Sequence, residues 1–183
     1  MAQRGLPSPP AWKSALTSVG VTGTNGKTST TRFVAAALGT LARPVAWTTT
    51  VGSFLDDEPF ATEKTYAGFL HLLRTAVDRG GKACALEMTS EALARGFGRA
   101  WPCEVAVFTN LSHDHIDAHG TPEHYLASKA QLFVNLPPGG TAVLNASDPN
   151  AALLAEIVPK HARTLFYSAP GGRLTKSCAL LAR

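Results

Sequence analysis

A glycine-rich segment near the N-terminus has the residue types that bind polyphosphates. It reads Gly23-Thr24-Asn25-Gly26-Lys27-Thr28 and lies between a β-prone run and a run typical of a helix. In that context the glycines let backbone N–H groups face an anion, and the helix N-terminus adds positive potential. We expect Lys27 to reach the β- and γ-phosphates and the Thr28 hydroxyl to hold Mg²⁺. A turn that only caps a helix is the alternative, and Val21 stands where the general pattern has glycine.

A carboxylate ends the apolar run from 83 to 88 and opens a second polar motif. Glu87 begins the segment Glu87-Met88-Thr89-Ser90-Glu91-Ala92-Leu93. A lone carboxylate at a strand end is often only a helix cap, and a short helix is predicted to follow. Beside a phosphate loop, the same carboxylate is a candidate Mg²⁺ ligand or a residue that positions a water molecule.

The third polar motif is dense in imidazoles and carboxylates and directly follows a predicted strand. It runs Asn110-Leu111-Ser112-His113-Asp114-His115-Ile116-Asp117-Ala118-His119-Gly120. The pattern invites a metal site, and it nearly matches the His-x-His-x-Asp-His pattern of metallo-hydrolases from His113 onward. That match fails because Ala118 occupies the place of the last histidine. A surface-exposed polar loop is the other alternative.

The elements that must position these motifs alternate between strand and helix patterns. Strands are predicted at 18–22, 45–51, 83–88, 105–109, 141–145 and 164–167, and helices at 28–42, 68–79, 123–134 and 151–157. For the first helix we expect an apolar face of Phe33, Ala36, Ala37 and Leu41. The segment 53–59 is predicted to be a polar, acidic loop. Alternation of this kind predicts an α/β fold with a mostly parallel sheet flanked by helices, and ligands that bind at the carboxyl ends of the strands.

Composition limits the classes of partner. The net charge is +4, with lysines scattered along the chain rather than clustered among aromatic residues, so we predict no nucleic-acid partner. A secretory signal and a membrane-spanning segment are both missing from the sequence, which predicts a cytoplasmic protein with no membrane partner. The three cysteines are far apart, and Cys84 is predicted to be a small core residue.

The motifs together resemble the Mur ligases and the related folylpolyglutamate synthases. That family carries a Gly-Thr-x-Gly-Lys-[Thr/Ser] loop with the shorter glycine spacing found here. The Glu87 segment resembles the Glu-x-Ser-Ser-His-Ala-Leu stretch of the Mur ligases that add the third residue to the peptidoglycan stem, with Glu91 in place of histidine. The Asn110 segment is similar to the family motif Asn-Leu-[Ser/Thr]-x-Asp-His-[Leu/Met/Ile]-Asp.

The resemblance assigns roles to residues that spacing alone leaves open. His115 would help to ligate a second Mg²⁺, while Asp114 and Asp117 organise the loop. Lys129 lies fourteen residues after His115, where the family has a carbamylated lysine. Without the resemblance, an ordinary solvated helix lysine is the better interpretation of Lys129.

The family's reaction is ATP-dependent amide formation, in which a substrate carboxylate takes the γ-phosphate as an acyl phosphate that an amine then displaces. The resemblance therefore implies ATP, Mg²⁺, a UDP-muramoyl-peptide and an amino acid as ligands. It assigns catalysis to Lys27, Glu87, His115 and Lys129, and metal binding to Thr28, Glu87, His115 and Lys129. The nucleotide would contact Gly23, Thr24, Asn25, Gly26, Lys27, Thr28, Ser29 and Asn110, and the muramoyl substrate would contact Thr48, Thr49, Thr50, Thr89 and Ser90. The turn Asn145-Ala146-Ser147-Asp148-Pro149-Asn150 matches another family motif, and we interpret it as a helix cap without chemistry.

The expected organisation is a P-loop NTPase-like Mur ligase central domain at 18–168, apparently truncated, with an extension at 1–17 and an unplaced tail at 169–183. Mur ligases have three domains, so the missing parts would come from another chain. A non-catalytic nucleotide-binding remnant is the alternative function. A P-loop kinase and a metallo-hydrolase are the others, each of which leaves one of the motifs unexplained.

Overall fold

One eight-stranded sheet organises the fold. The computed structural model describes residues 5–112 and 121–168. Its strands are β1 (Thr17–Thr22), β2 (Val45–Thr49), β3 (Gly52–Leu55), β4 (Glu58–Pro59), β5 (Ala83–Glu87), β6 (Val105–Phe108), β7 (Thr141–Asn145) and β8 (Arg163–Tyr167). Its helices are α1 (Lys27–Gly39), α2 (Tyr66–Asp78), α3 (Ser90–Ala94), α4 (Phe97–Ala100), α5 (Pro122–Val134) and α6 (Asn150–Ile157), with a 3₁₀ turn at Ala11–Ala15.

The strand order is β4-β3-β2-β5-β1-β6-β7-β8, and β2, β5, β1, β6, β7 and β8 are parallel. In this register Val21 of the central strand pairs with Glu87, and Thr22 pairs with Phe108. The carboxyl ends of β1, β5 and β6 therefore meet at one edge of the sheet, which is where all three polar motifs begin. The predicted α/β fold with a mostly parallel sheet is confirmed.

The segment at 53–59 is not the loop that its acidic residues predict. The second predicted strand ends at Thr49, and β3 and β4 then add an antiparallel hairpin to the sheet. Phe54 stacks on Trp47 with ring centroids 3.9 Å apart. The Asp56 carboxylate accepts a hydrogen bond from the Val45 N–H at 2.9 Å, so this acid joins the turn between β3 and β4 to the start of β2.

The buried face of α1 also differs from the prediction. Phe33 is 75% exposed and Leu41, beyond the end of the helix at Gly39, is 84% exposed. Ala36 and Ala37 are exposed as well. The helix instead packs through Thr31, Val34, Ala35 and Leu38. Thr28 decides the rotation, because its hydroxyl contacts Glu87 on β5 and the residues three and seven positions later share its side of the helix.

The two faces of the sheet are covered unequally. Helices α2 to α6 contribute to the main core cluster on one face, with Leu72, Leu93 and Leu154 fully buried. The predicted core position of Cys84 is confirmed. On the other face α1 packs against β1, β2 and β5. Farther along that face Val143 is half-buried and its register partner Leu165 is 56% exposed.

Candidate functional site

The glycine-rich segment forms a tight loop between β1 and α1. Gly26 has a left-handed conformation (φ 79°) and caps the N-terminus of α1. At Gly23 (φ 150°), a Cβ atom would lie 1.9 Å from the Thr109 Oγ1, so no larger residue fits without moving the chain after β6. The two glycines thus serve different needs: one permits the backbone turn and the other permits close packing against Thr109.

Thr109 and Asn110, directly after β6, form hydrogen bonds to the backbone of this loop. The Asn110 Oδ1 accepts a hydrogen bond from the Asn25 N–H at 2.9 Å, and the Asn110 Nδ2 donates to the Asn25 carbonyl at 3.0 Å. The Thr109 hydroxyl donates to the same carbonyl at 2.8 Å. The contact between Asn110 and the nucleotide stays a prediction. The Asn110 amide pairs with the loop backbone, and Asn110 is not among the residues that line the cavity described next.

A cavity of about 540 Å³ opens in front of the loop and gathers most of the predicted nucleotide and metal residues. Thr50, which is predicted as a substrate residue, also lines it, as do Glu91 and Tyr125, for which the sequence predicts no role. Tyr125 precedes Lys129 by one helical turn, and that spacing is the signal that could have found it. The full lining consists of Thr24, Asn25, Gly26, Lys27, Thr28, Ser29, Thr50, Glu87, Thr89, Ser90, Glu91, Tyr125 and Lys129.

Thr28 and Glu87 form a pair of oxygen donors at one side of this cavity. The Thr28 hydroxyl donates to the Glu87 Oε2 at 2.8 Å, and the Thr50 N–H donates to the same oxygen at 3.2 Å. Mg²⁺ takes oxygen ligands, and it is commonly held by one or two protein groups together with substrate phosphates. The donor set of Thr28 and Glu87 therefore fits a magnesium ion. Within residues 5–112 and 121–168, no three His, Cys, Asp or Glu side chains cluster as a self-sufficient metal site.

Two lysine side chains donate hydrogen bonds to carbonyls of the loop. The Lys27 Nζ donates to the Thr24 carbonyl at 2.8 Å. The Lys129 Nζ donates to the Gly23 carbonyl at 2.9 Å and lies 4.1 Å from the centroid of the Tyr125 ring. Lys129 is only 1% exposed. The interpretation of Lys129 as a solvated helix lysine, which the sequence alone favours, is therefore wrong. Burial, and then the positive charge of Lys27, lower the pKa of the Lys129 amine to about 7.

The predicted substrate residues divide between this cavity and its neighbour. Thr89 and Ser90 line the first cavity, where the Thr89 hydroxyl also caps α3 by accepting from the Ala92 N–H at 3.2 Å. Thr48 and Thr49 line a second cavity of about 610 Å³, which includes Arg95 and the aromatic side chains of Tyr66, Phe69 and Phe97. The two cavities share Thr50, Glu87 and Thr89. His115, Asp114 and Asp117 lie outside the described residues, as does the predicted tail at 169–183.

Comparison with known proteins follows the motifs closely. The family model described as the Mur ligase middle domain matches residues 21–177. The UDP-N-acetylmuramoyl-L-alanyl-D-glutamate–2,6-diaminopimelate ligase of Synechococcus elongatus is 40% identical over 84% of this chain and 31% of its own length. The enzyme of the same name from Xylella fastidiosa is 41% identical over 86% of this chain and 32% of its own length. The chain thus spans about a third of the length of these curated relatives.

Solved structures agree with this assignment. A structure of a UDP-N-acetylmuramoyl-L-alanyl-D-glutamate–2,6-diaminopimelate ligase superposes with a TM-score of 0.74 at 32% identity, covering 84% of this chain and 32% of that one. The MurF ligase from Thermotoga maritima in complex with ADP superposes with a TM-score of 0.57 at 25% identity, covering 86% of this chain and 34% of that one. With the family model matching most of its length, this chain belongs to the Mur ligase family and corresponds to the family's middle domain.

Proposed function

We propose that this chain is the ATP-binding part of an acid–amino acid ligase of peptidoglycan precursor synthesis, which works through an acyl-phosphate intermediate. The observation that carries the proposal is the convergence of the phosphate loop, Glu87 and the buried Lys129 on one cavity. The names of the relatives support the substrate class, since they act on a UDP-muramoyl dipeptide and diaminopimelate. The cytoplasm, where soluble nucleotide substrates are found, is the proposed location.

The loop and its lysine supply charge and position. Backbone N–H groups at the start of α1 face the polyphosphate, and the Lys27 ammonium moves from the Thr24 carbonyl to the β- and γ-phosphate oxygens. When Mg²⁺ is bound, held by Thr28 and Glu87, it neutralises charge on the transferred phosphoryl group. The substrate carboxylate attacks that group from the side of the second cavity, where Thr48, Thr49, Thr89 and Ser90 are proposed to orient the muramoyl substrate. His115 is proposed as a further metal ligand.

Lys129 is proposed to act as its carbamate. The neutral amine attacks carbon dioxide, the new N–C bond forms, and the amine proton leaves to solvent, so that a cation becomes an anion. The support for this step is the burial of the amine, which leaves a large neutral fraction at neutral pH. In the carbamate form its oxygens add to the oxygen donors beside Thr28, and its negative charge complements Lys27.

The test is a calorimetric titration of Mg-ATP into the purified chain and into two lysine variants. Lys27→Ala removes the proposed phosphate contact, while Lys82→Ala removes an exposed lysine of equal charge at the start of β5. We expect saturable binding in the wild type and in Lys82→Ala, and a loss of at least tenfold in affinity in Lys27→Ala. Equal affinity in all three folded proteins would show that the loop does not bind the nucleotide.

Ligase activity needs a separate measurement because a non-catalytic remnant would also bind ATP. We expect phosphate release only when the UDP-muramoyl dipeptide, the amino acid and the remaining domains are supplied together. Phosphate released at the same rate without the amino acid would instead indicate a hydrolase, and ADP formed from ATP without free phosphate would indicate a kinase.

A further inference from the structure

The turn after β7 forms hydrogen bonds to the backbone on both sides of Asn110. The Asn145 Nδ2 donates to the Thr109 carbonyl at 2.8 Å. The Asp148 Oδ2 accepts from the Leu111 N–H at 2.7 Å. Asn145 ends β7 and Asp148 lies in the turn that follows. In the sheet β6 separates β7 from β1, and neither side chain lines the cavity in front of the phosphate loop.

Asp148 is buried and uses both carboxylate oxygens as acceptors. It is 7% exposed, and its Oδ1 accepts from the Asn150 N–H at 2.8 Å and from the Asn150 Nδ2 at 3.0 Å. Every group that meets the carboxylate in these contacts is an N–H donor. An asparagine at this position would turn its own NH₂ group toward one of these donors, so only a carboxylate satisfies both sides at once.

The same segment, residues 109–112, is also hydrogen-bonded to the phosphate loop. The Thr24 N–H donates to the Asn110 carbonyl at 2.8 Å, and the Ser112 N–H donates to the Thr24 Oγ1 at 3.0 Å. Asn110 pairs with the Asn25 backbone as described above. The residues from Thr109 to Ser112 are therefore bonded to the turn after β7 on one side and to the loop on the other.

We infer that Asp148 is a positioning residue for the phosphate loop, acting through the Leu111 backbone and the Asn110 side chain. The inference rests on the proposed nucleotide site, and it makes the turn at Asn145–Asn150 more than the helix cap that the sequence predicts. Loss of the Asp148 contact frees Leu111, loosens the Asn110–Asn25 pairing, and lets the loop leave the conformation in which its N–H groups face an anion.

The experiment compares Asp148→Asn with Ser147→Ala in the full chain. Ser147 is in the same turn, and its buried hydroxyl makes no hydrogen bond in the described structure, so it is a matched control. The first readout is amide hydrogen exchange of the peptide covering Thr24 and Asn25 without nucleotide. We expect exchange at least fivefold faster in Asp148→Asn and unchanged in Ser147→Ala. A residue that only stabilises the fold would raise exchange equally in the peptide covering α2, so an equal rise in both peptides, or no rise in the loop peptide, would overturn the inference.

The second readout is the Kd for Mg-ATP under conditions where each variant is folded. We expect a loss of about tenfold in Asp148→Asn and less than twofold in Ser147→Ala. Faster exchange without any ATP binding by the wild type would contradict the proposed function but not the positioning role. Unchanged exchange in Asp148→Asn together with normal ATP binding would contradict the positioning role but not the proposed function. If Asp148→Asn does not fold, Asn145→Ala removes the grip on Thr109 and is expected to show the same two changes.

Discussion

Lys129 has its amine in an environment that disfavours its charge. The Nζ atom is buried, and among the described residues it contacts the Gly23 carbonyl and the Tyr125 ring. Lys27 adds a second positive charge nearby. Lys129 forms no ion pair with any of the described residues. Sequence gives no hint of this, because the residues around Lys129 in α5 are ordinary for an amphipathic helix and only the packing of α5 against the loop buries the amine.

The free energy of unfolding should therefore depend on pH through Lys129. Its folded pKa of about 7 lies below the ordinary lysine value, so between these values the unfolded chain binds a proton that the folded chain does not. Stability then rises with pH, by about 2 kcal/mol between pH 7 and pH 9. Urea denaturation in buffer free of carbon dioxide measures this rise, and Lys129→Met should lack it. An identical pH dependence in both proteins would contradict the low pKa.

Gly23 should be irreplaceable for a reason that backbone conformation alone does not give. Gly23→Ala brings a Cβ against the Thr109 hydroxyl, and we expect a loss of roughly 2 kcal/mol or more in the free energy of unfolding. Gly80→Ala is the control, because Gly80 also has a positive φ but has open space around it, so that only the backbone cost of about 1 kcal/mol applies. Equal losses in urea denaturation would show that the contact with Thr109 adds nothing.

At the scale of single elements, the parallel strands and every helix except the four-residue α4 follow from the sequence to within a few residues. The pattern does not determine how a helix is rotated about its own axis, and so which of its faces is buried. The sequence of α1 offers two apolar stripes, and the periodicity favours the one containing Phe33 as readily as the one containing Ala35. Only the contact between Thr28 and Glu87, two residues far apart in the chain, selects the second stripe. The β3–β4 hairpin was missed for a similar reason, since Asp56 looks like a loop residue until the Val45 N–H is placed beside it.

The rotation of α1 can be tested by two substitutions on opposite sides of the helix. Phe33→Ser should change the free energy of unfolding by less than about 0.5 kcal/mol, because that side chain is exposed. Leu38→Ser should cost about 1–3 kcal/mol, because Leu38 is half-buried and packs against both apolar clusters beneath α1. Chemical denaturation gives both values, and a larger loss for Phe33→Ser than for Leu38→Ser would contradict the observed rotation.

At the scale of the whole molecule, the sequence predicts the class of fold and the edge of the sheet where ligands bind. It does not predict the strand order, in which β5 inserts between β1 and β2 and brings Glu87 next to the phosphate loop. Nor does it predict that the turn after β7 reaches across to the Asn110 segment. The candidate site was thus identifiable as a set of residues, whereas the pairings within it depend on non-local strand neighbours.

Among the described residues, no helix combines the length and apolar character that crossing a membrane requires.

The half-covered face of the sheet should govern how the isolated chain behaves as its concentration rises. Val143 and Leu165 form an apolar row beyond the strands β1, β2 and β5 that α1 packs against, and contact between two such rows removes both from water. We expect the sedimentation coefficient to increase with protein concentration, and Leu165→Lys to suppress that increase. Leu41→Lys, at a more exposed leucine away from the row, should not. A sedimentation coefficient that stays constant up to high concentration would mean that this face remains wetted, and that the chain tolerates in solution an apolar surface which most parallel sheets bury.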